Sequence, residues 1–151
     1  MEVWFYHLGR EPLARALPVL VEKALARGWR VVVQTGDPAR LKALDDLLWK
    51  GKPESFIPHG TDSDGDPARH PVLLTCGTGN ANGAALRIHV EGAPVELDGS
   101  DPSYERVMLV FDGNDEAELT AARGQWSSLK ARGFALAYWQ QDDDGRWNRK
   151  M

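Results

Sequence analysis

Short apolar runs alternate along this chain with longer segments in which apolar residues recur every three or four positions. The short runs are bounded by glycine, proline or polar residues, which is typical of buried β-strands. They occupy residues 3–8, 31–33, 72–75, 86–90 and 107–111. Residues 134–138 alternate as in a last strand, and the turn at 144–145 leads back through Trp147, which predicts a hairpin.

The longer segments have the periodicity of amphipathic helices. The first spans about residues 13–25 and stops at Gly28, and Pro18 inside it predicts either a kink or a later start. The second opens at 37–38, where Asp-Pro is a favourable N-cap and first-turn pair, and it delivers Trp49 at its end.

A third helix is predicted to be capped by Asn114 and to end at Gly133. One stripe along it is apolar and comprises Leu119, Ala122, Trp126 and Leu129. Arg123 and Lys130 flank Trp126 on the outer side of this stripe. Trp126 is therefore either an ordinary core residue at a solvated edge or part of a binding site for an acidic peptide that ends in an aromatic residue.

Strands that alternate with helices indicate an α/β protein with a mostly parallel central sheet and helices on both faces. The continuous apolar run at 107–111 is typical of a central parallel strand. Because no repeat, low-complexity tract or linker divides the 151 residues, we expect one domain over residues 1–151.

The formal net charge of −4 disfavours wholesale binding to duplex nucleic acid and leaves room for a local basic patch. One cysteine, Cys76, excludes an internal disulfide and a cysteine-built zinc site. The chain has no apolar run of membrane length and no signal-like start, so we expect a cytoplasmic protein without membrane contact.

Candidate sites for cofactors and metals fail on spacing. The glycines at 77–83 precede a predicted strand, so no helix N-terminus would meet a phosphate. The acidic stretch at 62–66 resembles a calcium loop but has Leu73 where the bidentate glutamate is needed. His59 and His70 lack a defined third ligand, and His59 is expected to cap or pack its own turn. We therefore predict no catalytic residue, cofactor or metal.

Two large aromatic residues, Trp49 and Phe56, lie on a connection rather than on a regular element. Pro53 and Pro58, with nearby glycines, are expected to keep this segment irregular and limit how it bends. Such a segment either covers a core or presents a rigid apolar surface to a partner.

Trp49, followed by Glu-Ser-Phe-Ile-Pro-His-Gly at residues 54–60, resembles the signature of the chi subunit of bacterial DNA polymerase III. Three further segments fit this family in the same order, at residues 3–8, 28–31 and 107–114, the last followed by the third helix. The resemblance therefore extends over nearly the whole chain.

The resemblance implies a nucleotide-binding-like (Rossmann-like) architecture and a subunit without a catalytic site of its own in a DNA-directed DNA polymerase, or nucleotidyltransferase, complex. It implies a link between the clamp-loader assembly and the acidic C-terminal tail of single-stranded-DNA-binding protein. Arg123 and Trp126 match the family's tail-binding positions, whereas Leu119 and Ser127 stand where better-known members have lysines. Lys130 would compensate in part.

The family's other face binds the psi subunit or another partner, such as a clamp-loader component or a helicase-type protein. Trp49, Phe56, Pro58 and His59 match there, and nucleic acid would be reached only indirectly. Two alternatives remain open at this point. One is a small nucleotide-binding enzyme of the same fold, and the other is direct DNA binding through the C-terminal cations Arg146, Arg149 and Lys150.

Overall fold

The computed structural model of the chain describes residues 2–9, 11–49, 57–95, 104–144 and 146–151. The strands among them are β1 Glu2–Leu8, β2 Val31–Gln34, β3 His59–Thr61, β4 Val72–Thr75, β5 Leu86–His89, β6 Arg106–Asp112, β7 Ala135–Gln141 and β8 Trp147–Arg149. They form one sheet in the order β3-β4-β2-β5-β6-β1-β7-β8. Every neighbouring pair is parallel except β7 and β8, which confirms the predicted α/β class and mostly parallel sheet.

The described helices are α1 Leu13–Ala26, α2 Pro38–Trp49 and α3 Glu116–Ala131, with a short 3₁₀ turn at Pro67–Arg69. Among the described residues, no helix is both long and apolar enough to cross a membrane. The 3₁₀ turn begins at an N-cap, Asp66, whose side chain accepts from the backbone N–H of Ala68. Asp37 caps α2 as predicted, because its carboxylate accepts the backbone N–H of Arg40 at 2.9 Å.

The helix α1 runs through Pro18 and begins at Leu13, so the predicted later start is wrong. Its first turn closes before the proline, because the N–H groups of Arg15 and Ala16 both donate to the carbonyl of Pro12. Gly28 stops the helix as predicted, with a φ of +81° that suits glycine.

The helices cover both faces of the sheet, as predicted. Alternate side chains of β1 point to opposite faces. Tyr6 and Leu8 belong to the core cluster formed with α1 and α2, whereas Val3 and Phe5 belong to the cluster formed with α3. Burying one such side chain contributes about 1.5–3 kcal/mol, and this fixes the position of α3 against the sheet.

The strand β3 lies in the segment that the sequence analysis expected to be irregular, so that part of the prediction is wrong. Two physical features allow the strand. It is an edge strand, paired only with β4, so Pro58 just before it breaks no ladder. Gly60 within it gives the ring of His70 room, since a Cβ there would collide with that ring.

The predicted cap of the third helix is also wrong by one residue. The side chain of Asp115 accepts the backbone N–H groups of Ala117 and Glu118, at 2.9 and 3.1 Å. The side chain of Asn114 instead donates to the carbonyl of Gly9 at 3.0 Å. A carboxylate at the positive end of the helix dipole is the better cap, and the amide is drawn to a tertiary partner.

The last two strands form the predicted antiparallel pair, although Gly145 of the predicted turn lies outside the described residues. Gln141 is opposite Trp147, and Trp139 is opposite Arg149. Cross-strand partners share a face of the sheet. The pair therefore carries Trp147 over the α1 face, where its ring meets that of Tyr6 edge-on at 4.8 Å.

Candidate protein-interaction surfaces

The apolar stripe of α3 packs as its periodicity predicts. Ala122 and Leu129 are buried, and Leu119 and Trp126 are partly buried against the same cluster. Trp126 is held on two sides, because its ring meets Phe5 at 5.2 Å and Tyr138 at 5.7 Å between centroids, both edge-on. The ring is therefore a rigid, partly buried element of the surface.

The side chains of Arg123, Ser127 and Lys130 are exposed beside this ring. At about 100° per residue, Arg123, Trp126, Ser127 and Lys130 fall within about 100° of arc on α3. The helix thus brings together the three residues predicted for the tail site. We refer to Arg123, Trp126 and Lys130 as the α3 surface.

Two residues that the sequence analysis did not assign lie next to the α3 surface. His7 Nδ1 and the Tyr138 hydroxyl hydrogen-bond at 2.7 Å. Burial lowers the pKa of His7 and the charge of Arg123 lowers it further, while Asp112 acts in the opposite direction. Burial raises the pKa of Tyr138, and Arg123 counteracts this. The positive charge of Arg123 therefore acts on a polar pair that the parallel pairing of β1 with β7 assembles. In the sequence, His7 and Tyr138 are marked only by their positions in the two strand patterns, and neither pattern shows that the two residues meet.

The second predicted surface is built around Trp49, which is 56% exposed at the end of α2. Its ring lies 4.6 Å from the ring of His59, the first residue of β3. Pro58 beside them is exposed. Phe56, which was predicted to share this face, lies outside the described residues. We refer to Trp49, Pro58 and His59 as the α2–β3 surface.

His59 has a buried side chain, so within this surface it supports Trp49 from below. Its Nδ1 lies 2.8 Å from the carbonyl oxygen of Ile57, and its Nε2 lies 3.0 Å from a carboxylate oxygen of Asp45. Asp45 precedes Trp49 by one helical turn, so both flank the imidazole. The expectation that His59 packs its own turn is confirmed.

The acidic loop at 62–66 uses its carboxylates within the protein. Asp64 accepts from both the backbone N–H and the hydroxyl of Thr61, and Asp62 accepts from the hydroxyl of Thr75. His70 Nε2 lies 2.6 Å from the carbonyl oxygen of Asp64. In the part of the chain that the structure describes, no three His, Cys, Asp or Glu side chains are grouped so as to hold a metal.

The crevice at the carboxyl ends of β1 and β6 has a volume of about 330 Å³. Ligands of open α/β sheets bind outside the carboxyl ends of the strands. Here the charged lining residues that the structure describes are all acidic and comprise Glu11, Glu91, Asp112 and Glu118. Burial raises the pKa of both the Glu91 and Glu118 carboxyls. A phosphate entering this crevice would meet like charge.

The glycine-rich loop at 77–83 is tied to the sheet by the buried guanidinium of Arg87. This side chain donates to the carbonyls of Gly77 and Gly79, at 2.6 and 2.9 Å. Asn80 closes the loop by accepting the backbone N–H of Ala84 at 2.7 Å. These carbonyls and N–H groups are thus used within the protein.

The C-terminal cations of the sequence analysis, Arg146, Arg149 and Lys150, are all exposed on or beside β8. Arg149 shares a sheet face with Trp139 across the β7–β8 pair. These three cations belong to neither the α3 surface nor the α2–β3 surface.

Comparison with known proteins agrees with the resemblance in the sequence. Residues 1–137 match the family described as "DNA polymerase III chi subunit, HolC". A protein of Rickettsia prowazekii named "Probable DNA polymerase III subunit chi" is 31% identical over 111 residues, which is 71% of this chain and 67% of that protein. The "DNA polymerase III subunit chi" of Pseudomonas aeruginosa is 32% identical over 118 residues, 78% of each chain. The chain belongs to the DNA polymerase III chi subunit family and is a replication accessory subunit of that polymerase complex.

Proposed function

We propose that this chain links the clamp-loader assembly of DNA polymerase III to single-stranded-DNA-binding protein, as one chi-like domain over residues 1–151 and without a catalytic site of its own. The observation that carries the proposal is the half-buried ring of Trp126 with exposed cations at Arg123 and Lys130 beside it. The family supports the setting, since its members are subunits of this polymerase.

The α3 surface suits an acidic peptide that ends in an aromatic residue. The terminal ring would pack on the exposed part of Trp126, which Phe5 and Tyr138 hold in place. The terminal carboxylate would meet Arg123, and acidic residues before it would meet Lys130. Because Trp126 is already ordered, little side-chain entropy is lost there on binding.

The affinity should be low, on the order of micromolar, since a short peptide covers little surface. Much of the attraction lies between exposed charges, so it should weaken as salt rises above physiological strength. Leu119 and Ser127, in place of lysines, leave the surface less basic than in better-known members.

The direct test is titration of the full chain with a labelled acidic peptide ending in Phe. Arg123→Ala should weaken binding about tenfold, because it removes a charge-assisted contact to the carboxylate. Arg15→Ala, an exposed cation on α1, is the matched control and should leave binding unchanged. Equal affinities for wild type and Arg123→Ala, or indifference to loss of the terminal Phe, would place the tail elsewhere or nowhere on this chain.

We propose that the α2–β3 surface, with Phe56 added, docks the psi subunit or another clamp-loader component. An exposed tryptophan on a rigid base is a common anchor of protein interfaces. Phe56→Ala should change stability little and abolish partner capture when the two proteins are co-expressed. A loss of about 3 kcal/mol or more in unfolding free energy would instead make Phe56 a core residue.

We propose a nucleotide-binding-like, Rossmann-like architecture for the fold, without nucleotide binding as its function. The alternative, a small nucleotide-binding enzyme, would use the crevice at the carboxyl ends of the strands. The carboxylates of Glu11, Asp112 and Glu118 there disfavour phosphate. A thermal shift with ATP or NAD would support the enzyme, and a shift with acidic peptides alone would support the adaptor.

A further inference from the structure

A second groove, of about 540 Å³, lies on the α1 face of the sheet, opposite α3. Its aromatic lining comprises Trp4, Tyr6, Trp29, Trp139 and Trp147. We refer to these five residues as the aromatic groove. A volume of this size is typical of a site for a ligand and not of a packing defect.

The rings are brought together by strands that are distant in sequence. The ring of Trp4 on β1 lies 5.2 Å from that of Trp139 on β7. Trp147 on β8 reaches the same face and meets Tyr6 edge-on. Trp139 and Trp147 lie beyond residue 137, where the match to the family ends. The groove is therefore completed by residues outside the part of the chain that the family describes.

Three cations line the same groove: Lys23 of α1, Arg27 directly after that helix, and Arg106 of β6. The guanidinium carbon of Arg106 lies 3.6 Å from the centroid of the Trp4 ring, and that of Arg27 lies 4.1 Å from Trp29. Arg149 adds a further cation on this face, opposite Trp139. Among the described residues that line the groove, none is acidic. A carboxylate beside the groove, that of Glu2, accepts a hydrogen bond from Trp4 Nε1 at 2.6 Å.

We propose that the aromatic groove binds single-stranded nucleic acid directly, with bases on its indole rings and backbone phosphates on Lys23, Arg27 and Arg106. Proteins that bind single strands combine a cationic groove with aromatic rings on which successive bases stack. Planar guanidinium groups already stacked on indoles extend such a platform. The chain carries a net charge of −4, so this concentration of cations is local and matches an anionic ligand.

The indole rings and cations of the groove also distinguish a single strand from two other anionic ligands, a nucleic-acid duplex and an acidic peptide. A duplex hides the faces of its bases and needs a broad basic surface, which this acidic chain lacks. An acidic peptide with one terminal ring would use one indole and leave the others unused. A strand of nucleotides offers a π-face for each ring and a phosphate for each cation. The proposal goes beyond the adaptor function and revises the expectation that nucleic acid is reached only indirectly; it does not depend on the α3 surface.

The first test measures binding of a labelled oligothymidylate to the full chain by fluorescence anisotropy. Lys23→Glu/Arg27→Glu reverses two exposed charges of the groove and should weaken binding about tenfold or more. Arg15→Glu/Lys42→Glu makes the same change in net charge at exposed positions outside the groove and should change binding by less than about twofold. Thermal melts of both double variants establish that they are folded.

The second test separates stacking from simple charge attraction. An abasic oligomer with the same number of phosphates should bind about 5- to 150-fold more weakly for each stacked base lost. Oligothymidylate should also quench tryptophan fluorescence, and Trp29→Leu should reduce both affinity and quenching. With three phosphate contacts the salt slope should be about −2, which is about a 20-fold loss between 50 and 200 mM salt.

Three outcomes would overturn the proposal. Equal affinity for oligothymidylate and the abasic oligomer would show that the groove binds phosphates by charge alone, without base stacking. Equal loss of binding in the two double variants would show a general effect of net charge. Tighter binding of an acidic peptide ending in Phe, abolished by Lys23→Glu/Arg27→Glu, would assign the groove to a protein partner.

Discussion

The buried ring of His59 lies 4.6 Å from the exposed ring of Trp49. The side chain of His59 is 0% exposed, whereas Trp49 is 56% exposed. Two residues of one predicted docking site therefore have different tasks. Trp49 is able to contact a partner, and His59 is placed to hold Trp49 in one orientation. Substitutions at the two positions should therefore differ in their effects on stability and on partner capture.

Trp49→Ala should change the unfolding free energy by less than about 1 kcal/mol, because the side chain is already mostly in water. It should weaken capture of a co-expressed clamp-loader partner about tenfold or more, as the loss of a tryptophan anchor does. Val19→Ala is the control, since Val19 is another exposed apolar residue, at 46%. Pull-down and urea unfolding of both variants are the measurements. Equal capture by the two variants would remove Trp49 from the interface.

His59→Ala should cost about 1–3 kcal/mol of stability, because it empties a buried position and leaves Asp45 facing no nitrogen. Partner capture should fall as well, since Trp49 loses its support. The joint variant Trp49→Ala/His59→Ala should capture no less than Trp49→Ala alone. Additive losses in capture would mean that His59 contacts the partner through its own atoms.

Ser127→Lys should raise the affinity for the acidic tail peptide about 1.5- to 5-fold, because it adds an exposed cation beside Trp126. The gain should shrink as salt rises from 50 to 200 mM. The same charge added at Ser128, also exposed on α3, is the control for net charge. Isothermal titration of the peptide into each variant measures this. An equal gain at both positions would indicate nonspecific attraction.

Asp115→Ala should lower stability by about 1 kcal/mol, within the range of 0.5–2 kcal/mol for loss of a helix N-cap. Asn114→Ala removes one exposed contact to Gly9 and should cost less. Urea unfolding of the two variants compares the neighbouring positions directly. A larger loss of unfolding free energy for Asn114→Ala than for Asp115→Ala would show that Asn114 is the N-cap, as the sequence predicted.

Stability should fall as the pH drops below about 6.5, in part because of His89. Burial lowers the pKa of His89 to about 3, and the charge of Arg87 acts in the same direction. The unfolded chain therefore binds a proton near pH 6.5 that the folded chain does not accept until about pH 3. Below that unfolded pKa, stability is lost progressively, by about 1.6 kcal/mol between pH 6.5 and 5.

The check is the unfolding free energy of wild type and His89→Gln at pH 7.5 and 5. The variant should lose about 2 kcal/mol less over this interval, whatever its stability at pH 7.5. Other groups that titrate in the same interval, such as His7, affect both proteins alike. Equal losses in the two proteins would show that His89 accepts a proton in the folded state without cost.

Local patterns predicted much of this molecule because their causes are local. Of the eight strands in the part of the chain that the structure describes, five follow from apolar runs, since a strand buried on both faces needs apolar side chains throughout. The stripe on α3 follows from helical periodicity, which by itself places Trp126 between the core and the cations. Gly28 and Asp37 marked the ends of helices through backbone geometry alone.

Pairing between distant segments decided the rest. The sheet brings His7 and Tyr138 together within the electrostatic influence of Arg123, and it sets Trp139 and Trp147 beside Trp4 and Tyr6. No spacing in the sequence encodes these neighbours, because strand order and register are set by which segments bury the most surface together. The strand β3 has the same origin. Gly60 at its centre has little intrinsic strand propensity, and the strand forms because the edge of β4 offers partners for its backbone.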